Sequence, residues 1–155
     1  MCSESKQVVG SPSPIPGISE EKFQILCSKA VQAKENSYSP YSQFPVGCAL
    51  STEDNTIYTG VNVENASYGG AICAERTAIV KAVSEGHRKI KALAVSTNSS
   101  KCSSPCGICR QVIREFSESD LKLPIIMLDK NGKKYIEMTI DELLPLSFGP
   151  DDLEK

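Results

Sequence analysis

A chain of 155 residues is long enough for one domain with a hydrophobic core and short for two. With 40% hydrophobic residues, 23% charged residues and a net charge of −2, it has the make-up of an ordinary globular protein and lacks the basic excess of a nucleic-acid binder. No apolar stretch approaches the ~20 residues of a membrane span, and the start, MCSESKQVVG, lacks the basic beginning and apolar run of a secretory signal, so a cytoplasmic, reducing setting is expected.

Residues 1–17, ending in GSPSPIPG, read as a flexible tail, and 18–155 as a single domain. Ser19 is a plausible N-cap for a first helix, with Glu20 and Glu21 in its first turn and Phe23, Leu26, Ala30 and Val31 at helical spacing as far as about Asn36. SPYSQFP breaks it. Val46 to Leu50 and Ile57 to Val63 read as strands of an antiparallel hairpin joined by STEDNT. After NASYGG, a second helix covers Ile72 to Glu85 and stops at Gly86, a natural C-terminal cap. His87, the only histidine, follows that cap and is expected to be exposed.

Ala92 to Ser96 is a short buried strand, and Pro105 suits the first position of a third helix running to about Phe116. Ile125 to Leu128 and Tyr135 to Met138 pair around the turn signal Asn131-Gly132. Thr139 and Glu142 have capping-box spacing for a short last helix ended by Pro145. Strands alternating with helices indicate a layered α/β domain with a mixed sheet.

Seven cysteines in a reducing setting argue against a disulfide framework. Cys27 and Cys48 lie in apolar patterns and read as small buried hydrophobes. Cys106 and Cys109, in PCGIC, are three apart at a helix start and so share a face, while Cys73 begins the preceding helix. Helix N-termini of adjacent βαβ units emerge at one end of the sheet, so three thiolates can converge there, a donor set suited to zinc. A CxxC alone fits a redox pair or cap chemistry equally well.

Glu75 sharpens the pattern. CAE at one helix start and PCGIC at the next resemble the HxE and PCxxC signature of zinc-dependent deaminases, with cysteine in place of histidine. Together, SPYSQFPVGCAL, NVENASY, CAERTAI, SPCGICRQVIREF and ELLPLSFGPDDL resemble the small homotetrameric cytidine deaminases from about Glu20 to Leu153. The implied fold is a five-stranded mixed sheet with helices on both faces. YGGAIC places two glycines, Gly69 and Gly70, ahead of the second helix, where the loop shape can depart from relatives, and Cys102 lies outside the motif.

What the resemblance implies is specific. Cys73, Cys106 and Cys109 hold one zinc ion per chain, and Glu75 takes a proton from the attacking water, passes it to the pyrimidine ring nitrogen and then delivers a proton to the departing ammonia. The implied reaction converts cytidine and 2′-deoxycytidine to uridine and 2′-deoxyuridine in pyrimidine salvage. Phe44 packs on the base, Asn62 and Glu64 hydrogen-bond the sugar, and Tyr68 and Phe148 reach a neighbouring subunit's site in a homotetramer. No nucleic-acid or membrane partner is implied.

Three thiolates leave zinc with a formal charge of −1, a poor setting for activating water. Two helix N-termini, worth roughly half a positive charge each, and Arg76, three residues after Cys73, temper that field. Residues two apart on a helix do not face each other, so Cys73 and Glu75 can meet only over the helix end. Three other readings stay open: a structural protein-interaction module closed by Cys102, which would leave Glu75 idle; a nucleic-acid editor, which should carry a basic groove that 17 Lys and Arg against 19 Asp and Glu do not suggest; and a deaminase of another small amino-pyrimidine or a nucleoside antibiotic.

Overall fold

The computed structural model describes residues 4–153. Its strands are β1 (Lys6–Gln7), β2 (Gly47–Thr52), β3 (Ile57–Val61), β4 (Ile90–Ser96), β5 (Pro124–Leu128) and β6 (Lys134–Thr139), in the sheet order β1-β6-β5-β4-β2-β3. Helices α1 (Glu20–Ala33), α2 (Ala74–Ser84), α3 (Gly107–Glu115) and α4 (Ile140–Leu143) connect and cover it. β4 and β5 are parallel and the other neighbouring pairs antiparallel, which makes the sheet mixed, as expected.

Alternation along the strands builds a core on each face. Leu93 and Val95 of β4, with Ile125 and Met127 of β5, pack under Ala78, Ile79 and Ala82 of α2 and Ile113 of α3. Ala92, Ala94 and Ile126 point the other way, against Phe23, Leu26 and Ala30 of α1. β3 runs parallel to β4 across the intervening β2, so β3-α2-β4 and β4-α3-β5 are successive crossovers whose helices start at the same end of the sheet. Gly60 brings α2 close over β3: a Cβ there would collide with Ala78 N and Ala74 O. At the far end Gly86, at φ +94°, closes α2, with His87 N donating to Ala82 O at 2.9 Å.

Three expectations are corrected. The sheet has six strands, because Lys6 and Gln7 add β1 to the edge of β6. The segment read as a flexible tail is tied to the domain at a few points, by the pairing of Lys6 and Gln7 with β6 and by two buried apolar residues, while most of residues 4–17 are exposed; residues 1–3 lie outside the described range. Val8 and Ile15 are buried with Phe23 and Tyr135, and Val8 N donates to Lys133 O at 2.9 Å. A few apolar anchors within a Pro- and Ser-rich stretch suffice to cover an edge that would otherwise present unpaired backbone. His87 is half-buried rather than exposed, with its ring 5.4 Å from that of Tyr58 and its Nδ1 3.7 Å from Asp54.

The expected helix starts move inward by two residues: α2 begins after Cys73 and α3 after Cys106, so Pro105 precedes the cap instead of opening the helix. Gly69 and Gly70 form a single 3-10 turn with Tyr68, and neither has a positive φ.

Candidate active site

Cys73 and Cys106 are the N-caps of α2 and α3, with nearly the same extended backbone (φ −77°, ψ 157° and φ −66°, ψ 166°). A residue in that position turns its side chain over the open end of the helix, toward the unpaired backbone donors. Cys109, one turn into α3, is buried, and its backbone N–H donates to Cys106 Sγ at 3.5 Å. The two capping sulfurs lie 3.9 Å apart, and all three sulfurs fall within 4.8 Å of one another.

The surrounding charges bear on the thiols. Arg76 Nη2 donates to Cys73 Sγ at 3.6 Å. A hydrogen bond from Cys109, opposed by burial and aided by Arg76, pulls the Cys73 thiol down to about 5, while the same bond and burial push Cys109 up. Glu75, only 4% exposed, sits in the first turn of α2. Burial raises its carboxyl above the ordinary range, against its own backbone N–H, with Cys73 pushing the same way.

Donors about 2.3 Å from a tetrahedral zinc stand about 3.8 Å apart. The 3.9 Å between Cys73 and Cys106 fits that spacing, and a soft three-sulfur set suits zinc. Among the described residues Cys102 does not join the group: its Sγ faces Lys134 O at 3.8 Å. A four-cysteine site closed by Cys102 therefore lacks its fourth ligand.

The residues expected at the sugar and base are brought together by one loop. Asn62 Oδ1 accepts from Ser37 Oγ at 2.6 Å and from Val46 N at 2.8 Å, and its Nδ2 donates to Phe44 O at 2.9 Å. Glu64 accepts from Tyr41 N at 3.0 Å, from Ser42 N at 3.2 Å and from the Ser42 hydroxyl. Tyr68, 79% exposed, has its ring 6.2 Å from that of Tyr41. Phe148 lies elsewhere, on the C-terminal segment, 61% exposed and with its carbonyl accepting from Gln111 of α3 at 3.0 Å.

Two arginines carry structural duties that sequence reasoning passed over. Arg110 donates to Pro105 O at 2.8 Å, to Leu143 O at 2.8 Å and to Ser104 Oγ at 2.7 Å, fixing the loop that leads into Cys106. Arg114, buried, donates to Ser147 Oγ at 3.2 Å and Asp151 at 3.3 Å, and so holds the segment that carries Phe148. Their four-residue spacing on α3 was the available signal.

Residues 20–123, which include all three cysteines and Glu75, match the family described as the cytidine and deoxycytidylate deaminase zinc-binding region. The cytidine deaminase of Sporosarcina psychrophila is 48% identical over 128 residues, covering 83% of this chain and 92% of that protein. That of Halalkalibacterium halodurans is 45% identical over 130 residues, 84% of this chain and 96% of its own length. The crystal structure of cytidine deaminase from Burkholderia pseudomallei matches with a TM-score of 0.74 at 40% identity, covering 80% of this chain and 97% of that one. Since that matched region takes in both helix ends with their thiols and the buried carboxylate between them, the chain belongs to the cytidine deaminase family.

Proposed function

We propose that this chain hydrolyses cytidine and 2′-deoxycytidine to uridine and 2′-deoxyuridine with release of ammonia. The observation that carries the reading is a buried Glu75 carboxyl beside three sulfurs gathered within 4.8 Å at two helix ends. Bound by Cys73, Cys106 and Cys109, zinc supplies the Lewis acidity that makes a water nucleophilic near neutral pH.

The rest of the work falls to the chain's own groups. Glu75 accepts a proton from the attacking water and gives it to the ring nitrogen beside the amine-bearing carbon. It then relays the second proton to the amine, which leaves as ammonia. A carboxyl raised by burial suits this double task, because it must act first as base and then as acid. Arg76 and the two helix N-termini offset the excess negative charge of three thiolates. Phe44 packs on the base, while Asn62 and Glu64 address the sugar hydroxyls.

We also infer a homotetramer in which Tyr68 and Phe148 complete the site of another subunit. Their rings stand exposed on a single chain, which supports that role. The six described cysteines are free thiols, as suits a reducing, cytoplasmic setting.

Ammonia release should be measured on cytidine, 2′-deoxycytidine, free cytosine, adenosine and a cytosine-containing oligonucleotide. Turnover of the first two with little on the others is the expected result. Preference for the oligonucleotide would overturn the nucleoside reading in favour of an editor.

A further inference from the structure

Every polar side-chain atom of Asn62 and Glu64 is engaged by the chain's own loop between Ser37 and Val46. The centre of that network is Ser42. Its hydroxyl donates to Glu64 Oε1 and accepts from Phe44 N at 3.1 Å, so one side chain joins the carboxylate to the aromatic residue two positions on. We propose that Ser42 is a positioning residue for deamination: its hydroxyl, latched to Glu64, sets where Phe44 meets the base. The inference rests on the reading above that Phe44 packs on the base.

Packing within the chain does little to hold this loop. Tyr41, Ser42, Gln43 and Phe44 are all exposed, with Tyr41 meeting the exposed ring of Tyr68, so polar tethers carry most of its path. Gln43 has φ 52°, a left-handed backbone that a residue with a Cβ seldom adopts without support. Support comes from both sides of it. Gln43 N donates to Ser39 O at 2.9 Å, and the Glu64 carboxylate grips Tyr41 N and Ser42 N. A hydrogen bond to an ionised carboxylate is about twice as strong as a neutral one, and the Ser42 bond draws the Glu64 carboxyl below its ordinary range.

The latch also has a fixed base. Glu64 N donates to Tyr38 O at 2.8 Å, and Tyr38 N to Asn62 O at 3.1 Å. Between those residues, Val63 exchanges two backbone hydrogen bonds with Ile72, at 2.9 and 3.0 Å, and Ile72 immediately precedes Cys73. The ring of Phe44 is therefore referenced through Ser42, Glu64 and Ile72 to the start of α2. A carboxylate has about four lone-pair sites, so Glu64 can keep Ser42 while accepting a sugar hydroxyl.

This gives Ser42 and Glu64 an effect that does not pass through the sugar. A nucleoside without sugar hydroxyls at the 2′ and 3′ positions separates the two roles. For Ser42→Ala we expect KM to rise about tenfold on both cytidine and 2′,3′-dideoxycytidine, the scale of one lost charge-assisted bond, with kcat within about twofold and zinc content unchanged. Ser42→Thr keeps the hydroxyl and should restore KM. A KM within twofold of wild type, or one that rises on cytidine alone, overturns the proposal. Amide hydrogen exchange over residues 41–46 reads the latch without any turnover and should accelerate at least about tenfold in Ser42→Ala. Unchanged exchange would overturn the latch itself, whereas a wild-type protein inactive on cytidine with accelerated exchange in the variant would overturn the functional reading and the proposal's catalytic part together, leaving the loop geometry standing.

Discussion

The sulfurs of Cys73 and Cys106 lie 3.9 Å apart although 33 positions separate them in sequence, because each residue caps one of two successive crossover helices. The same extended backbone at both caps turns both thiols over the same end of the sheet. Parallel β4 and β5 create that shared end, and the alanine-lined face of α2 with Gly60 beneath it brings the first helix down to the required height. Cys73, Cys106 and Cys109 would hold a metal close to both helix N-termini, whose dipoles would offset the charge of the thiolates.

The first expected outcome is one zinc per chain with three sulfur ligands and one light-atom ligand by X-ray absorption. Cys109→Ser or Cys106→Ser should lose most of the metal, whereas Cys102→Ser should keep it, since that thiol points to Lys134 O. Chelation should lower Tm, because a ligand bound only to the folded state stabilises it. A spectrum with four sulfurs would instead support the closed structural site.

Glu75→Gln should retain zinc and Tm within a few degrees yet lose about 100- to 10,000-fold in kcat, the usual weight of a positioned proton-transfer group. Glutamine keeps the volume of a side chain that is only 4% exposed, so a fall in kcat cannot be assigned to a cavity. Turnover within tenfold of wild type would remove Glu75 from the mechanism.

How much of this was legible beforehand follows from the range of each interaction. The strand and helix alternation, the capping box at Thr139 and Glu142, and the Gly86 cap are local patterns; the two caps stand where the sequence placed them, and the alternation holds apart from two-residue shifts in two helix starts and the added β1. The convergence of Cys73 with Cys106 and Cys109 was legible too, because crossover topology follows from element order. What was missed depends on contacts between distant parts. Val8 and Ile15 look like isolated apolar residues until β6 is known to be an open edge. Arg110 and Arg114 look like solvated helix charges until Leu143 O, Ser147 and Asp151 arrive from 33 to 37 positions away. The engagement of Asn62 and Glu64 by their own loop was hidden for the same reason.

The N-terminal segment should contribute measurably to stability. Ile15 is buried against the α1 face, and Ile15→Ala should cost about 2–4 kcal/mol in urea unfolding, as for other buried isoleucines. Val9, exposed on the same segment, serves as the control, with Val9→Ala expected within about 0.5 kcal/mol. Equal, negligible effects would mean that residues 4–17 lie loosely on the domain in solution.

Gly60→Ala should disturb the metal site from a distance. Its new Cβ would collide with the α2 backbone at Ala74, which lies between Cys73 and Glu75, and at Ala78 one turn further on. Overpacking of this kind costs about 1–3 kcal/mol and moves the element that yields most easily. Lower zinc affinity together with a lower Tm is expected. A stable variant with unchanged zinc affinity would show that α2 can lift without moving Cys73.

The last expected outcome concerns sites shared between subunits. Phe148 is held at its backbone by Gln111, and Arg114 anchors the neighbouring Ser147 and Asp151, yet its ring stands largely in solvent on a single chain. Glu75, by contrast, is buried within the same chain as the cysteines. If a ring from one subunit completes the pocket around another subunit's Glu75, two damaged chains can repair each other. Glu75→Ala and Phe148→Ala should each be impaired when made alone. In mixed tetramers, some pockets receive intact Glu75 from the Phe148→Ala chain and an intact Phe148 ring from the Glu75→Ala chain, so co-expression should restore deamination above the level of either variant. Pockets built from one chain cannot be repaired in this way, because every chain carries one of the two lesions. Native mass spectrometry must first establish that the mixed assemblies form. With that established, activity no higher than the sum of the separate variants would confine each site to one chain, and the exposed ring of Phe148 would then have to serve the contact between subunits alone.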